Sequence, residues 1–199
     1  MSSRVLVALL PAALVLAAAG CGSSGGNQSS SSSGGAANPN APETSPAGDI
    51  PDNQAYVRYS PPGATYSVKV PEGWSRTASG GSVRFTDKLN AIAMTSRAAS
   101  AAPTVASTKG HDMPRLAGSV KGYTAGSVSS VSRKSGTAIR ATYLATAKPN
   151  AVTGKAGTDA VERYAFFRKG REVVLTLTGP KGADNVDPWR IVTDSLRWR

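Results

Sequence analysis

One cysteine, Cys21, and one histidine, His111, are all that the 199 residues offer of the two side chains most used for metal binding and nucleophilic catalysis. A single thiol excludes an internal disulfide framework, so the fold must stand on its core alone. A lone His and a lone Cys also exclude the clustered ligands of a zinc site. No Gly-x-Ser-x-Gly elbow provides a nucleophile. Neither a P-loop nor a dinucleotide fingerprint stands between a strand and a helix. Long apolar runs are missing after residue 19, and aromatics are missing before Tyr56. Acids are scarce throughout, 12 against 23 basic residues.

What is present first is an export signal. Met1-Ser2-Ser3-Arg4 supplies one positive charge, Val5–Ala19 is apolar except for Pro11, and Ala17-Ala18-Ala19-Gly20 are small. A charged head, a short apolar run and a small-residue exit make a secretory signal. The run is short for a membrane span, which needs roughly 20 apolar residues. Cys21 follows at once. The tract resembles a bacterial lipobox, with Ala18 where leucine is commoner. The resemblance implies a diacylglyceryl group on the Cys21 thiol, cleavage between Gly20 and Cys21, and palmitate-type acyl chains that hold the protein at the extracytoplasmic face of the cell membrane. Stable anchoring takes two chains or two signals, and two acyl chains on Cys21 satisfy that.

Three segments are expected: a signal over 1–20, a lipidated tether over 21–55, and one domain over 56–199. Gly22–Gly35 is almost all Gly and Ser, and Pro39, Pro42, Pro46 and Pro51 follow. Such composition cannot bury enough apolar surface to offset the entropy of ordering. As a flexible coil it would reach roughly 30 Å root-mean-square, from about 5–6 Å × √n.

The domain reads mostly as strands. Thr65–Val70 alternates with Tyr66, Val68 and Val70 on one face, and Pro71-Glu72-Gly73 turns the chain. Val83 and Phe85 alternate next, and Asp87-Lys88 is expected to turn into a strand over Asn90–Arg97. Gly136 divides a pair over Ser127–Lys134 and Thr137–Thr146, with Ile139, Ala141 and Tyr143 on one face. Val161–Arg168 and Arg171–Thr178 flank Lys169-Gly170 as a tight hairpin. Its register puts Phe166 opposite Val173 and Tyr164 opposite Leu175, and leaves Arg163, Thr176 and Glu172 on a mostly polar second face. Asp187-Pro188 is expected to cap and open a helix whose Trp189, Val192 and Leu196 face the sheet, with Arg190 and Asp194 pointing away. A less regular helix is expected within Pro103–Val120, interrupted at Gly110 and Pro114. Strands with helices at the side give an α+β layered domain.

Two tracts carry a family resemblance. Ala64–Trp74, a strand running into Val70-Pro71-Glu72-Gly73-Trp74, resembles the opening of PsbP-like domains and of LpqN-type mycobacterial lipoproteins. The Phe166–Thr178 hairpin, Asp187-Pro188-Trp189 and Leu196-Arg197-Trp198 are similar to their closing hairpin and helix. The resemblance implies an antiparallel, curved β-sheet with helices packed against it. It also implies a binding or adaptor protein with no catalytic residues and no cofactor, linked to envelope or transport functions.

Candidate chemistry is thin. His111 beside Asp112 is the only general-base pairing, and a solvated loop histidine explains it better. Asp184, Asn185 and Asp187 lack the spacing of a calcium loop, so no metal is expected. Charge is the stronger signal. From Tyr56 to Arg199 there are 22 basic and 9 acidic residues. Export argues against nucleic acid as the partner and toward headgroups, wall polymers or acidic proteins. The hairpin tip Arg168, Lys169 and Arg171, together with Arg190, are the candidate contacts of a monomeric domain. The leading expectation is a non-enzymatic lipoprotein that binds an envelope protein or anionic component. The alternatives are a small-ligand or lipid binder, with a hollow between the sheet and the 101–120 helix, and an envelope hydrolase.

Overall fold

The computed structural model describes residues 47–149 and 154–199; the span read as a signal, Gly20, Cys21 and the span read as a tether up to residue 46 lie outside the described residues. The strands are β1 (Tyr56–Tyr59), β2 (Tyr66–Pro71), β3 (Ser75–Ser79), β4 (Ser82–Asp87), β5 (Asn90–Ala98), β6 (Thr124–Arg133), β7 (Gly136–Thr146), β8 (Thr158–Arg168), β9 (Arg171–Pro180) and β10 (Arg197–Trp198). The helices are α1 (Val105–Ser107), α2 (Met113–Ser119) and α3 (Val186–Asp194), with a π-helical turn over Thr108–Asp112 joining the first two. Every strand pair is antiparallel. Seven strands run in the order β3-β4-β5-β9-β8-β7-β6, and three more form a small sheet in the order β1-β2-β10.

The β8–β9 hairpin has the register that alternation demanded: Arg168 opposite Arg171, Phe166 opposite Val173, Tyr164 opposite Leu175. Lys169 and Gly170 take φ of 46° and 73°. Positive φ at both central residues makes the tight turn whose twist matches that of the strands. Val173, Leu175 and Leu177 are fully buried, with Ile92 and Met94 of β5 beside them. Onto this face pack Tyr66, Val68 and Val70 of β2, Trp189 and Val192 of α3, and Leu196 just after it. Each such fully buried side chain stabilises by about 1.5–3 kcal/mol, so this layer is the main core.

The second face of the large sheet is covered too, against the expectation of a mostly polar surface. α1 and α2 lie against β6, and Thr108 and Met113 are buried. Ile139, Ala141, Ala165 and Val174 are buried on the same face. Glu172 is only 4% exposed there; its carboxylate accepts from Arg97 at 3.0 Å and lies 4.0 Å from Arg163. Burial on both faces explains why β9 reads as a nearly unbroken apolar run. The helical segment opens with a capping box. The Ser107 N–H donates to the Thr104 hydroxyl at 3.0 Å, and the Thr104 N–H donates to the Ser107 hydroxyl at 2.9 Å, which satisfies two orphan donors. Gly110 falls in the π turn and Pro114 in the first turn of α2, where a missing N–H costs little.

Four local expectations shift. The turn after β4 is Lys88-Leu89, not Asp87-Lys88: Asp87 stays paired with Asn90 and Lys88 takes φ 47°. Only this register sets Phe85 opposite Ile92, both on the core face. Gly136 is not the divider of β6 and β7 but pairs with Arg133, leaving Lys134-Ser135 as the loop. Asp187 does not cap α3. Asn185 occupies that position without a side-chain cap bond, and Asp187 lies in the first turn, where a negative charge suits the helix dipole. Asp194 points only partly away, being 3.8 Å from Arg133.

Packed structure also begins upstream of Tyr56. Ile50, inside the span read as tether, is 5% exposed and belongs to the core. Its N–H donates to Asn185 Oδ1 at 2.8 Å, and Asn185 Nδ2 donates to Gly48 O and to Asn90 Oδ1. Asn90 Nδ2 also donates to Gly48 O, at 2.8 Å. Two buried amides thus staple residues 48–50 to the start of α3. Among the described residues no helix is long and apolar enough to cross a membrane.

Candidate functional site

The outer face of the small sheet and the exposed side of α3 enclose a groove of about 760 Å³. Pairing explains what faces it. Arg58 of β1 stands opposite Lys69 of β2, and Ser67 of β2 stands opposite Arg197 of β10. Tyr66, Val68 and Val70 take the alternate positions and turn into the core, so Arg58, Lys69 and Arg197 share the outward face. Lys134 from the β6–β7 loop and Arg190 of α3 complete five basic residues lining the groove; Asp52, Asp187 and Asp194 are its acids.

The cations are poorly neutralised. Among the described residues, Arg58, Lys69, Lys134 and Arg197 have no ion-pair partner. Arg58 Nη1 donates to the Ser67 hydroxyl at 2.9 Å and to Ser195 O at 3.1 Å. Desolvation, with the nearby Arg197 and Arg199 guanidiniums, holds Arg58 below the usual arginine range. Asp194 is shared between Arg133 and Arg190, 3.8 Å from each. Tyr56 lines the groove; burial pushes its phenol up to about 12, and its hydroxyl has no partner among the described residues. Ile191, 43% exposed, adds an apolar side chain to this rim.

A polar network fixes α3 beside the groove. Arg133 Nε donates to the Thr193 hydroxyl at 2.9 Å and Nη2 to the Tyr164 hydroxyl at 3.0 Å, with the guanidinium 5.0 Å from the Tyr164 ring centroid. Tyr164 in turn donates to Glu162 at 2.6 Å, and Glu162 pairs with Arg140. Burial and the Glu162 carboxylate push the Tyr164 phenol up to about 12.

The residues singled out in sequence separate into two places. Arg190 lines the groove; Arg168, Lys169 and Arg171 are exposed at the β8–β9 tip and do not. The pairing of Ala138 with Phe166 puts that tip at the same end of the large sheet as Lys134. His111 is exposed, and Asp112 turns to Arg163 at 3.5 Å. Asp184 and Asp187 are exposed, while Asn185 is occupied by Gly48, Ile50 and Asn90. The described residues hold no group of three or more His, Cys, Asp or Glu placed for a metal. The groove, and a second cavity of about 200 Å³ near Ile50 and Trp74, are lined by no residue of the 101–120 segment. Arg58 and Lys69 were missed in sequence; Arg197 and Arg199, like Arg133-Lys134, form a basic cluster in the sequence but were not among the candidate contacts. The one available signal was Lys69, the single exposed residue of β2.

No family model and no curated protein matches the chain. Solved structures do. Cyanobacterial PsbP from Synechocystis superposes with a TM-score of 0.53 at 13% identity, covering 78% of this chain and 99% of that one. The fold is PsbP-like. The Ran-binding protein Mog1p of Saccharomyces cerevisiae gives a TM-score of 0.48 at 13% identity, over 73% of this chain and 96% of its own. A Bacteroides thetaiotaomicron protein gives 0.48 at 17% identity, over 71% of this chain. The chain spans 48%, about half, of that neighbour's length. The α+β, antiparallel architecture expected from the Ala64–Trp74 and Phe166–Trp198 tracts is therefore what the chain adopts.

Proposed function

We propose that the chain is an exported lipoprotein, cut between Gly20 and Cys21 and held by diacylglycerol on Cys21 at the extracytoplasmic face of the cell membrane. Its PsbP-like domain is a non-enzymatic binding module. Its working surface is the groove between α3 and the small sheet, and its partner is an anionic envelope protein or component. The observation that carries this reading is the set of cations on one face that have no ion-pair partner among the described residues. Cross-strand like charges destabilise a sheet by roughly 0.2–1 kcal/mol, so Arg58 opposite Lys69 is a cost that an anionic partner offsets.

Two measurements test it. Growth with radiolabelled palmitate labels the protein, and Cys21→Ser abolishes the label; an unlabelled wild-type chain sinks the anchor. A photo-crosslinker at position 191 captures an envelope component in intact cells, and capture falls when Lys69 and Arg197 are both changed to alanine. Capture indifferent to those two charges removes the groove from the reading.

A further inference from the structure

We propose that the groove seats the headgroups of an anionic phospholipid surface, so that the domain lies with α3 and β1–β2 against the bilayer that carries its anchor. This deepens the preceding reading and rests on it for the chain's location. Position is the first argument. Ile50 is locked into the core by Asn185, and Pro51 and Asp52 line the groove. Residues 47–50 line the second cavity, so the segment on the Cys21 side of the domain passes within a few residues of the groove.

Chemistry is the second. Five basic side chains surround the groove against three acids, and one of those acids, Asp194, is already shared by Arg133 and Arg190. Arg58 gives its donors to Ser67 and Ser195, not to a carboxylate. Ile191 stands exposed among the cations. An apolar side chain ringed by cations suits the headgroup–acyl boundary, where the charges meet phosphates and the side chain meets hydrocarbon. The Tyr56 hydroxyl, buried and without a partner among the described residues, lies beside the same groove. On this view the lipid on Cys21 holds the chain, and the groove decides which face of the domain looks at the bilayer.

The test uses the chain from residue 21 onward with Cys21→Ser. Among the described residues the core lies between Ile50 and Leu196, all of which this chain retains, and its thermal melt checks that it folds. It sediments with phosphatidylcholine vesicles containing phosphatidylglycerol, not with phosphatidylcholine alone, and added salt weakens binding. Lys69→Ala, Arg190→Ala and Arg197→Ala each weaken it about fivefold, the change that corresponds to roughly 1 kcal/mol per basic residue at an anionic surface. Ile191→Ser weakens it without changing the salt dependence. Lys109→Ala and Arg115→Ala, exposed on the helical segment across the large sheet, leave it unchanged. Equal losses from those two controls would show that net charge alone attracts the chain, and overturn the groove as the docking face. No binding to the anionic vesicles overturns the lipid occupant, while palmitate labelling of Cys21 still reads the anchor separately.

Discussion

Arg58 and Lys69 face each other across neighbouring strands, and neither has an ion-pair partner among the described residues. A sheet selected for stability alone would place opposite charges, or a β-branched pair, at these positions. Lys69→Glu therefore stabilises the domain by about 0.2–1 kcal/mol, read as a higher urea midpoint at an unchanged slope. The same change weakens attachment to anionic partners. A variant that lost both stability and binding would show that Lys69 has a structural role, and would remove the conflict argued here.

The Asn185 amide joins Ile50, Gly48 and Asn90 in one buried cluster. It lies so close to Gly179 that a Cβ there would meet Asn90 Oδ1 at 2.6 Å and Asn185 Nδ2 at 2.9 Å. Asn185→Leu removes the partner of the Ile50 N–H and the donor to Asn90 Oδ1, at about 1–3 kcal/mol for an unsatisfied buried group. The expected outcome is a lower melting temperature with protease cleavage appearing near residues 47–55. Gly179→Ala gives the same phenotype through the clash. Cleavage only at sites remote from this segment would show that Asn185 does not hold it.

How much of this was legible follows from where periodicity was strong. The β8–β9 register, the β2 face and the Trp189–Val192–Leu196 stripe were readable because one side of each element is deeply apolar. β3 was not: all five of its residues are exposed, so no alternation marks it. β10 is two residues long and pairs with β2 from the far end of the domain, which no local pattern can announce. The groove was hidden for the same reason. Arg58, Lys69, Lys134, Arg190 and Arg197 are scattered in sequence and meet only through long-range pairing, so sequence showed the excess charge without its place. Ile50 was lost in a polar, proline-bearing stretch because its partner, Asn185, lies well downstream. The tract ending in Gly20-Cys21, which resembles a lipobox, lies outside the described residues.

The hairpin tip offers a paired test of backbone conformation. Lys169 has φ 46° and Gly170 φ 73°; an L-residue in the left-handed region is strained by roughly 1–2 kcal/mol. Gly170→Val should destabilise by about that amount, and Lys169→Gly should be neutral or stabilising despite removing a basic side chain. Chemical denaturation of both variants checks the pair. If Lys169→Gly instead weakened anionic-vesicle binding as strongly as Lys69→Ala, the docking face would extend from the groove through the Lys134 end to the tip.

Alkaline pH should unfold the domain in a defined window. Burial pushes Tyr56 and Tyr66 up to about 12, and burial with the Glu162 hydrogen bond does the same for Tyr164, from an ordinary value of 10.0. In each case the folded state favours the neutral phenol. That contribution is complete below the unfolded value and is lost as pH rises through the folded one, so stability falls between about pH 10 and 12. Phenolate absorbance followed alongside circular dichroism should show these tyrosines ionising together with loss of structure. Tyr164→Phe removes the hydroxyl that joins Arg133 to Glu162. It should lower stability at neutral pH by about 1–3 kcal/mol and make the alkaline decline shallower, because one raised phenol is gone. An unchanged alkaline slope in Tyr164→Phe would mean that this phenol does not couple to unfolding, and that Tyr56 and Tyr66 carry the transition.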